Sequence, residues 1–410
     1  MSNSNPSPNP LRIGLALLLA AIVLLAGLSA PVATAAVPPL QEDVPDDQSI
    51  VVLEEGADPV AIAESLGVEP VEVYRDVLTG FTAELSPSAA AAARKSRFVR
   101  KVSPNGRVQA EAQETPTGVE RVGTPVDGGG SARGINVDVA VLDSGVAKHP
   151  DLSVVGGVAC NGQDPYEDRS GHGTPVAGVI AAMDNSRDVV GVAPGARIWS
   201  VKVLDASGSG SWSDVLCGLD WVYRNRQTID VVNMSLSGPG KDGRCSSFPV
   251  HRAVCKVVAA RIPVVVAAGN QGRDAGTRIP AAWDEVIAVS AFADSDGQPG
   301  GDGGKTCDYD ADDSFWYASN DGRDVDIAAP GSCIVSLTPQ GTLRRNSGTS
   351  LAAPHVAGAV ARYKADRPNA SARSVRDWLL SDKASQPQGS PFGFTGDDDG
   401  SPERVLWLGG

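Results

Sequence analysis

Val137-Asp138-Val139-Ala140-Val141-Leu142-Asp143-Ser144-Gly145 is the stretch that decides how this chain folds. Apolar residues run almost unbroken to an acid, and Ser-Gly then turns the chain. A run that is apolar on both of its alternating faces fits a strand buried from two sides. The signature recurs at Ile198 to Val203, Ile229 to Leu236, Pro263 to Ala268 and Val286 to Ala291. Helical stretches separate these runs, among them Thr174 to Met183 and Trp212 to Tyr223. Strands alternating with helices predict an α/β domain with a parallel sheet covered on both faces. Functional groups in such sheets gather at the carboxyl ends of the strands, where Asp143 stands.

The segment Glu111 to Arg133 is rich in Gly, Pro and Thr and reads as a linker into that domain. A smaller module precedes it. Ile50 to Leu53 reads as a strand, and Asp58-Pro59 supplies a cap and a first-position proline for a helix. A strand pair from Tyr74 to Leu85 follows, then Ser86-Pro87 opens an Ala-rich helix through Lys95, with short strands expected at Phe98 to Val102 and Gly106 to Ala110. That order predicts an α+β module. Further upstream, Arg12 precedes an apolar run from Ile13 to Leu28, with Ala33-Thr34-Ala35 as a cleavage site. The run is shorter than the roughly 20 residues a spanning helix needs, so it reads as a secretory signal. The expected organisation is a signal peptide at 1–35, a linker at 36–49, the module at 50–110 and the large domain at 111–410.

The 410 residues are 42% hydrophobic and 20% charged, enough for a sizeable core, and the net charge of −14 excludes a basic stripe for nucleic acid. No later stretch is long enough to span a membrane, so the mature form is expected to be secreted and free of the membrane. Six cysteines, at 160, 217, 245, 255, 307 and 333, all follow the signal. An even count in an exported chain fits disulfides. Proximity along the chain favours Cys245–Cys255 and Cys307–Cys333, which leaves Cys160–Cys217, although spacing alone leaves other connectivities open.

Peptide hydrolysis by serine needs a nucleophile, a base, an acid that orients the base, and donors where the oxyanion develops. Asp143 stands at a strand end, although an acid beside a turn often has only a structural role. His172 sits in Ser170-Gly171-His172-Gly173-Thr174-Pro175, with glycine on both sides. Of the other three histidines, His149 precedes a proline, His251 lies in a Cys-flanked insertion, and His355 follows Ser350 by five residues. Five residues are about 140° round a helix, so His355 would face away from the hydroxyl. Ser350 lies in Ser347-Gly348-Thr349-Ser350-Leu351-Ala352-Ala353-Pro354-His355, at the start of a helix whose first N–H groups could hold an oxyanion or be capped by the serine itself. Asn270, in Ala268-Gly269-Asn270-Gln271-Gly272, offers a side-chain amide as second donor.

These segments, in the chain order Asp, His, Ser, resemble the signatures of the subtilisin family. The similarity is strongest from Thr115 to about Val360, and Ile50 to Ala110 is similar to the family's inhibitor-like propeptide. The resemblance implies a three-layer subtilisin-like α/β fold preceded by a ferredoxin-like α+β propeptide. It further implies a secreted serine endopeptidase with Asp143, His172 and Ser350 as triad and with Asn270 and Ser350 as oxyanion hole. An esterase elbow is excluded, because Gly348-Thr349-Ser350-Leu351-Ala352 lacks the second glycine of G-x-S-x-G.

By the same resemblance, Ser235-Leu236-Ser237-Gly238 and the stretch Val203 to Trp212 flank extended polypeptide substrate, and Ala267, Ala268 and Gly269 line a roomy apolar primary pocket. A preference for bulky apolar residues is expected there. Ser237 stands where the family usually has glycine, so the adjoining pocket is expected to be narrower or differently hydrogen-bonded. Pro175 replaces the family's second histidine, and Leu351 its methionine after the nucleophile. The propeptide is expected to chaperone and inhibit its own protease until self-cleavage within Val108 to Ala112, after Ala110 or Glu111. No cofactor is needed for chemistry. Structural calcium is frequent in the family, and Asp294-Ser295-Asp296-Gly297, Asp308 to Asp313 and Asp397-Asp398-Asp399 offer oxygen ligands without EF-hand spacing. A monomer is the default expectation.

Overall fold

The computed structural model describes residues 48–105, 113–125, 134–245, 248–397 and 399–409. The expected signal peptide, most of the linker after it, the strand expected at Gly106 to Ala110 and the expected self-cleavage bonds lie outside the described residues. Two compact units divide the chain, Met1–Gln109 and Ala110–Gly410.

The first unit runs β1 (Gln48–Leu53), α1 (Pro59–Ser65), β2 (Glu72–Tyr74), β3 (Gly80–Glu84), α2 (Pro87–Lys95) and β4 (Val99–Pro104). Asp58 Oδ1 accepts from Val60 N at 3.1 Å and Ser86 Oγ from Ala89 N at 3.2 Å, so both helices start where a cap satisfies a free donor ahead of a proline-led first turn. The sheet order is β2-β3-β1-β4 with every neighbour antiparallel, the ferredoxin-like βαββαβ arrangement. Its core consists of Val51, Leu53, Ala63, Phe81, Ala83 and Leu85.

The second unit opens with α3 (Thr117–Arg121), β5 (Asp138–Asp143), β6 (Ser153–Ala159), α4 (Gly173–Ala181), β7 (Arg197–Lys202), α5 (Trp212–Arg224), β8 (Val231–Met234) and β9 (Gly238–Pro239). It continues through α6 (Pro249–Ala259), β10 (Val264–Ala267), β11 (Arg278–Ile279), β12 (Ile287–Ala293), β13 (Ser314–Phe315) and β14 (Ile327–Ser332). The hairpin β15 (Ile334–Leu337) and β16 (Leu343–Asn346) leads into α7 (Thr349–Asp366), α8 (Ala372–Leu379), β17 (Ser385–Pro387) and β18 (Arg404–Leu406). The main sheet has the order β17-β18-β14-β12-β10-β8-β5-β7-β6. From β18 to β6 every pairing is parallel; β17 and β13 add antiparallel edges. The apolar-run reading did not find β6, β14 or β18, which are glycine-bearing, proline-bearing or short.

Alternation along the strands explains the three layers. Val139 and Val141 of β5, Val265 and Ala267 of β10 and Val289 of β12 face a core shared with α4 and α7. Ala140 and Leu142, Val264 and Val266, and Ala288 face the opposite core, shared with α5 and α6. Helix α7 is buried along almost its whole length and carries Pro354 in its interior. Proline has no N–H to give the carbonyl four residues back, so Ser350 O needs another donor; Ser235 Oγ supplies it at 2.8 Å. The structure joins Cys160 to Cys217, Cys245 to Cys255 and Cys307 to Cys333, with Cα separations of 5.9, 6.0 and 5.8 Å. Among the described residues, no helix is long and apolar enough to cross a membrane.

Candidate active site

Strand β5 ends on Asp143, which is fully buried, and helix α4 begins just after His172. His172 Nδ1 and Asp143 Oδ1 are 2.8 Å apart, so the carboxylate fixes the ring and selects the tautomer with the proton on Nδ1. The Asp143 charge raises the imidazole pKa, against the lowering effect of burial. The ring is about one-third exposed and reaches the cleft, with a side-chain exposure of 33%.

Two groups that sequence reading did not single out hold this pair in place. Asp168 accepts from Ser144 Oγ at 2.7 Å, Gly171 N at 2.9 Å and Thr174 N at 2.8 Å, and so ties the loop before His172 to the turn after Asp143. Lys202, at the end of β7, is completely buried; its Nζ donates to Ser144 O and, at 2.9 Å, to Glu167 O. Burial lowers its pKa, while Asp168, Glu167 and Asp143 pull it back up. The partners of Lys202 and the Ser144 partner of Asp168 lie well apart along the chain, so neither role shows in local sequence.

Across the site, Ser350 is the second residue of α7, where a helical N–H has no carbonyl four residues back to bond. Asn270, just past β10, has its amide orientation set by its neighbours. Thr349 N and Thr349 Oγ1 both reach its Oδ1, at 2.9 and 2.7 Å, and a backbone N–H can only donate. The Nδ2 end therefore faces away from Thr349. Gly348, with φ of +152°, occupies the corner between them: a Cβ built on it would lie 2.9 Å from Ser350 Oγ and 3.2 Å from Asn270 Nδ2. The missing side chain leaves open the space shared by the hydroxyl and the amide. Asn320, fully buried, steadies the Asn270 loop by donating to Ala268 O at 2.9 Å and accepting from Gln271 N at 3.0 Å.

Asp143 and His172 are thus brought together directly, and Ser350 and Asn270 likewise around Gly348. No hydrogen bond joins Ser350 Oγ to His172 among the described residues; such contacts are often long before substrate binds. The link between the halves is Ser235, which lines the same cleft as His172 while bonding Ser350 O. Every other histidine is engaged elsewhere. His149 Nδ1 accepts from Asp151 N at 3.1 Å, and His251 Nε2 meets Glu285 at 2.7 Å and stacks on Trp283. His355 Nδ1 bonds Leu351 O at 2.8 Å, and complete burial lowers its pKa to about 4.

The cleft beside His172 has a volume of about 560 Å³ and runs between Ser207 to Trp212 on one side and Ser235 to Pro239 on the other. Gly238 is required where it stands, because a Cβ there would meet the Trp212 ring at 2.6 Å. Ala267, Ala268 and Gly269 close β10 beside Asn270; Gly269 has φ of +110°, and a Cβ would meet Asn320 at 2.5 Å.

Oxygen-rich sites lie elsewhere. Ligand atoms of Asp294, Asp296 and Asp312 fall within 4.8 Å of one another, but Asp294 is also 3.8 Å from Arg121, and burial pushes its pKa up to about 8. A second cluster of polar groups escaped sequence reading because it is assembled from three separated segments. Asp151 is fully buried with Oδ2 unpartnered, Asn185 Nδ2 donates to its Oδ1 at 2.6 Å, and Gln113 Nε2 donates to Met183 O at 2.6 Å and to Val189 O at 3.2 Å.

A three-layer parallel sheet with an Asp–His pair at a strand end and a serine at a helix start is an architecture found among the serine hydrolases. Within that class, the sequence model of the Subtilase family matches residues 134–396, and the chain belongs to this family of serine endopeptidases. It is 40% identical over 276 residues to Subtilisin E of Bacillus subtilis (strain 168), covering 66% of each chain. The same identity over 276 residues relates it to the subtilisin of Bacillus pumilus, over 66% of this chain and 92% of that one. An alkaline protease of Shouchella clausii is 36% identical over 329 residues, or 79% of this chain and 80% of that protein. The crystal structure of a cold adapted subtilisin-like serine proteinase superposes with a TM-score of 0.58 at 30% identity, covering 72% of this chain and 98% of that one.

Proposed function

We propose that this chain is the precursor of a secreted endopeptidase in which Asp143, His172 and Ser350 form the catalytic triad. His172 Nε2 takes the proton of Ser350 Oγ as the oxygen attacks the scissile carbonyl. The imidazolium that forms is stabilised by Asp143, which already raises its pKa. Negative charge on the former carbonyl oxygen develops in the space left by Gly348, where Asn270 Nδ2 and the Ser350 N–H donate to it. His172 then gives its proton to the leaving amine, an acyl-enzyme remains on Ser350, and water admitted through the same base hydrolyses it. Substrate lies extended between the two cleft walls and pairs with Ser235 to Ser237 as an added strand.

The observation that carries the reading is the 2.8 Å contact of His172 Nδ1 with Asp143 Oδ1, in the same site as an unobstructed hydroxyl–amide pair at Gly348. The first unit acts as an intramolecular chaperone and inhibitor, residues 1–35 direct export, and the protease frees itself by cleavage within Val108 to Ala112. The mature enzyme works as a monomer on polypeptides. A calcium ion held by Asp151 and the carbonyls of Met183 and Val189, with the Gln113 and Asn185 amides turned to present oxygen, would neutralise the unpartnered carboxylate and tie down the loop at 183–189. It supplies stability and takes no part in the chemistry. Expression of the precursor beside its Ser350→Ala variant tests the proposal: the wild type is expected to shorten itself and digest casein, and the variant to stay full length. Identical full-length products with untouched casein would end it.

A further inference from the structure

Arg278 contacts the cleft-lining residue Ser237 and has no carboxylate partner among the described residues. Strand β11 pairs antiparallel with β9, Arg278 opposite Pro239 and Ile279 opposite Gly238, immediately beyond the cleft wall Ser235 to Ser237. The pairing brings the guanidinium to that wall, where Nη2 lies 3.4 Å from Ser237 Oγ. Nε is shielded from solvent and has no acceptor. Other arginines that are wholly or partly buried each have a carboxylate partner: Arg121 meets Asp313, Arg197 meets Asp138 and Arg376 meets Asp326. A half-buried guanidinium with five donors and one long contact to a neutral hydroxyl is under-satisfied, and a carboxylate is the acceptor that matches its fork. In a chain of net charge −14 the protein supplies none there.

We infer that Arg278, with Ser237, is a specificity-determining pair that receives an acidic side chain, Glu or Asp, on the substrate residue preceding the scissile bond. The inference rests on the peptidase reading above and deepens it. Ser237 contributes a hydroxyl where the family usually has glycine, so on this assignment wall and cation present polar groups to the substrate beside the apolar lining expected from Ala267 to Gly269. An apolar residue entering there would leave the guanidinium desolvated and unpaired, which selects against it. Of the two bonds expected for self-cleavage, this preference chooses the one after Glu111, so N-terminal sequencing of the mature chain is expected to start at Ala112. A start at Glu111 counts against it.

The deciding experiment uses the mature enzyme and four peptide anilides that differ only in the last residue: Glu, Gln, Phe and Lys. Glu against Gln isolates the charge. Wild type is expected to favour Glu over Gln by roughly 100-fold in kcat/KM, the range of a charge-assisted contact. Arg278→Met is expected to collapse that ratio to near one while Phe cleavage persists or rises, which also shows that the variant folds; Arg278→Lys should retain part of the preference. A wild-type ratio near one, or a ratio unchanged in Arg278→Met, overturns the assignment. Robust Phe cleavage with no Glu cleavage overturns it and leaves the peptidase reading standing. Inertness to all four peptides and to a serine-directed fluorophosphonate overturns both.

Discussion

His172 and Ser350 both stand at the starts of helices packed on the same face of one sheet, yet they are held by groups of opposite electrostatic character. Around His172 the supports are charged and buried: Asp143 on the ring, Asp168 beneath the loop, and Lys202 donating to the turn that follows Asp143. Around Ser350 they are neutral: the Asn270 amide, the Thr349 hydroxyl, the Ser235 hydroxyl and backbone N–H groups. The contrast matches the charge each side must bear. In the proposed mechanism an imidazolium forms on one side and needs a fixed anion; an oxyanion forms on the other, and neutral dipoles oriented in advance stabilise it without a counter-charge that would perturb the base.

Breaking the charged half should have the largest effect. Asp143→Asn is expected to lower kcat/KM by roughly 10⁴-fold, through the wrong tautomer and the loss of imidazolium stabilisation. A pH profile adds a second readout. Because Asp143 raises the His172 pKa, the wild-type acid limb should lie above the ordinary histidine value, with activity lost as pH falls through it. In Asp143→Asn that limb should move to lower pH; an unmoved limb would separate the carboxylate from the base.

The neutral half should respond less. Asn270→Ala is expected to cost roughly 10²- to 10³-fold in kcat with KM nearly unchanged, because the amide is used only as charge develops. Gly348→Ala should match it, since the new methyl occupies the same space; normal turnover in Gly348→Ala would place the oxyanion elsewhere. Asp168→Asn sharpens the comparison from the support side. Three donors keep partners only in part and buried Lys202 loses an anionic neighbour, so about 2 to 3 kcal/mol of stability should go, read as a fall in melting temperature, with the His172 pH limb lowered as well. The smallest effect is expected from dilute peroxide. Leu351 packs with Val179 and Ile334 and carries no thioether, so activity should persist; rapid inactivation with Ser350 intact would refute this.

The fold was legible where strands were continuous and caps local. Val139 to Leu142 reads as a doubly buried strand because its alternate residues feed two different cores, and Asp58-Pro59 and Ser86-Pro87 start helices as their chemistry requires. Strands β6, β14 and β18 escaped because Gly156, Gly157, Pro330 and the brevity of β18 blunt the apolar signal. The candidate site divides in the same way. Asp143, His172, Asn270 and Ser350 each sit in a short motif at an element's end, whereas Asp168, Lys202, Asn320 and Arg278 sit in unremarkable local sequence.

Sequence by itself determined the parallel sheet, the helix starts and the residue types available for acid, base, nucleophile and amide, because periodicity and capping act over a few residues. Tertiary structure alone decided which charges lie beneath His172, how Thr349 orients the Asn270 amide, that Ser235 takes the carbonyl freed by Pro354, and that Arg278 reaches the cleft wall without a charge partner. These depend on contacts between residues up to 115 positions apart, as with Ser235 and Ser350. Burial, and with it the strength of each hydrogen bond and charge, exists only once the sheet has brought such distant segments into one dry site.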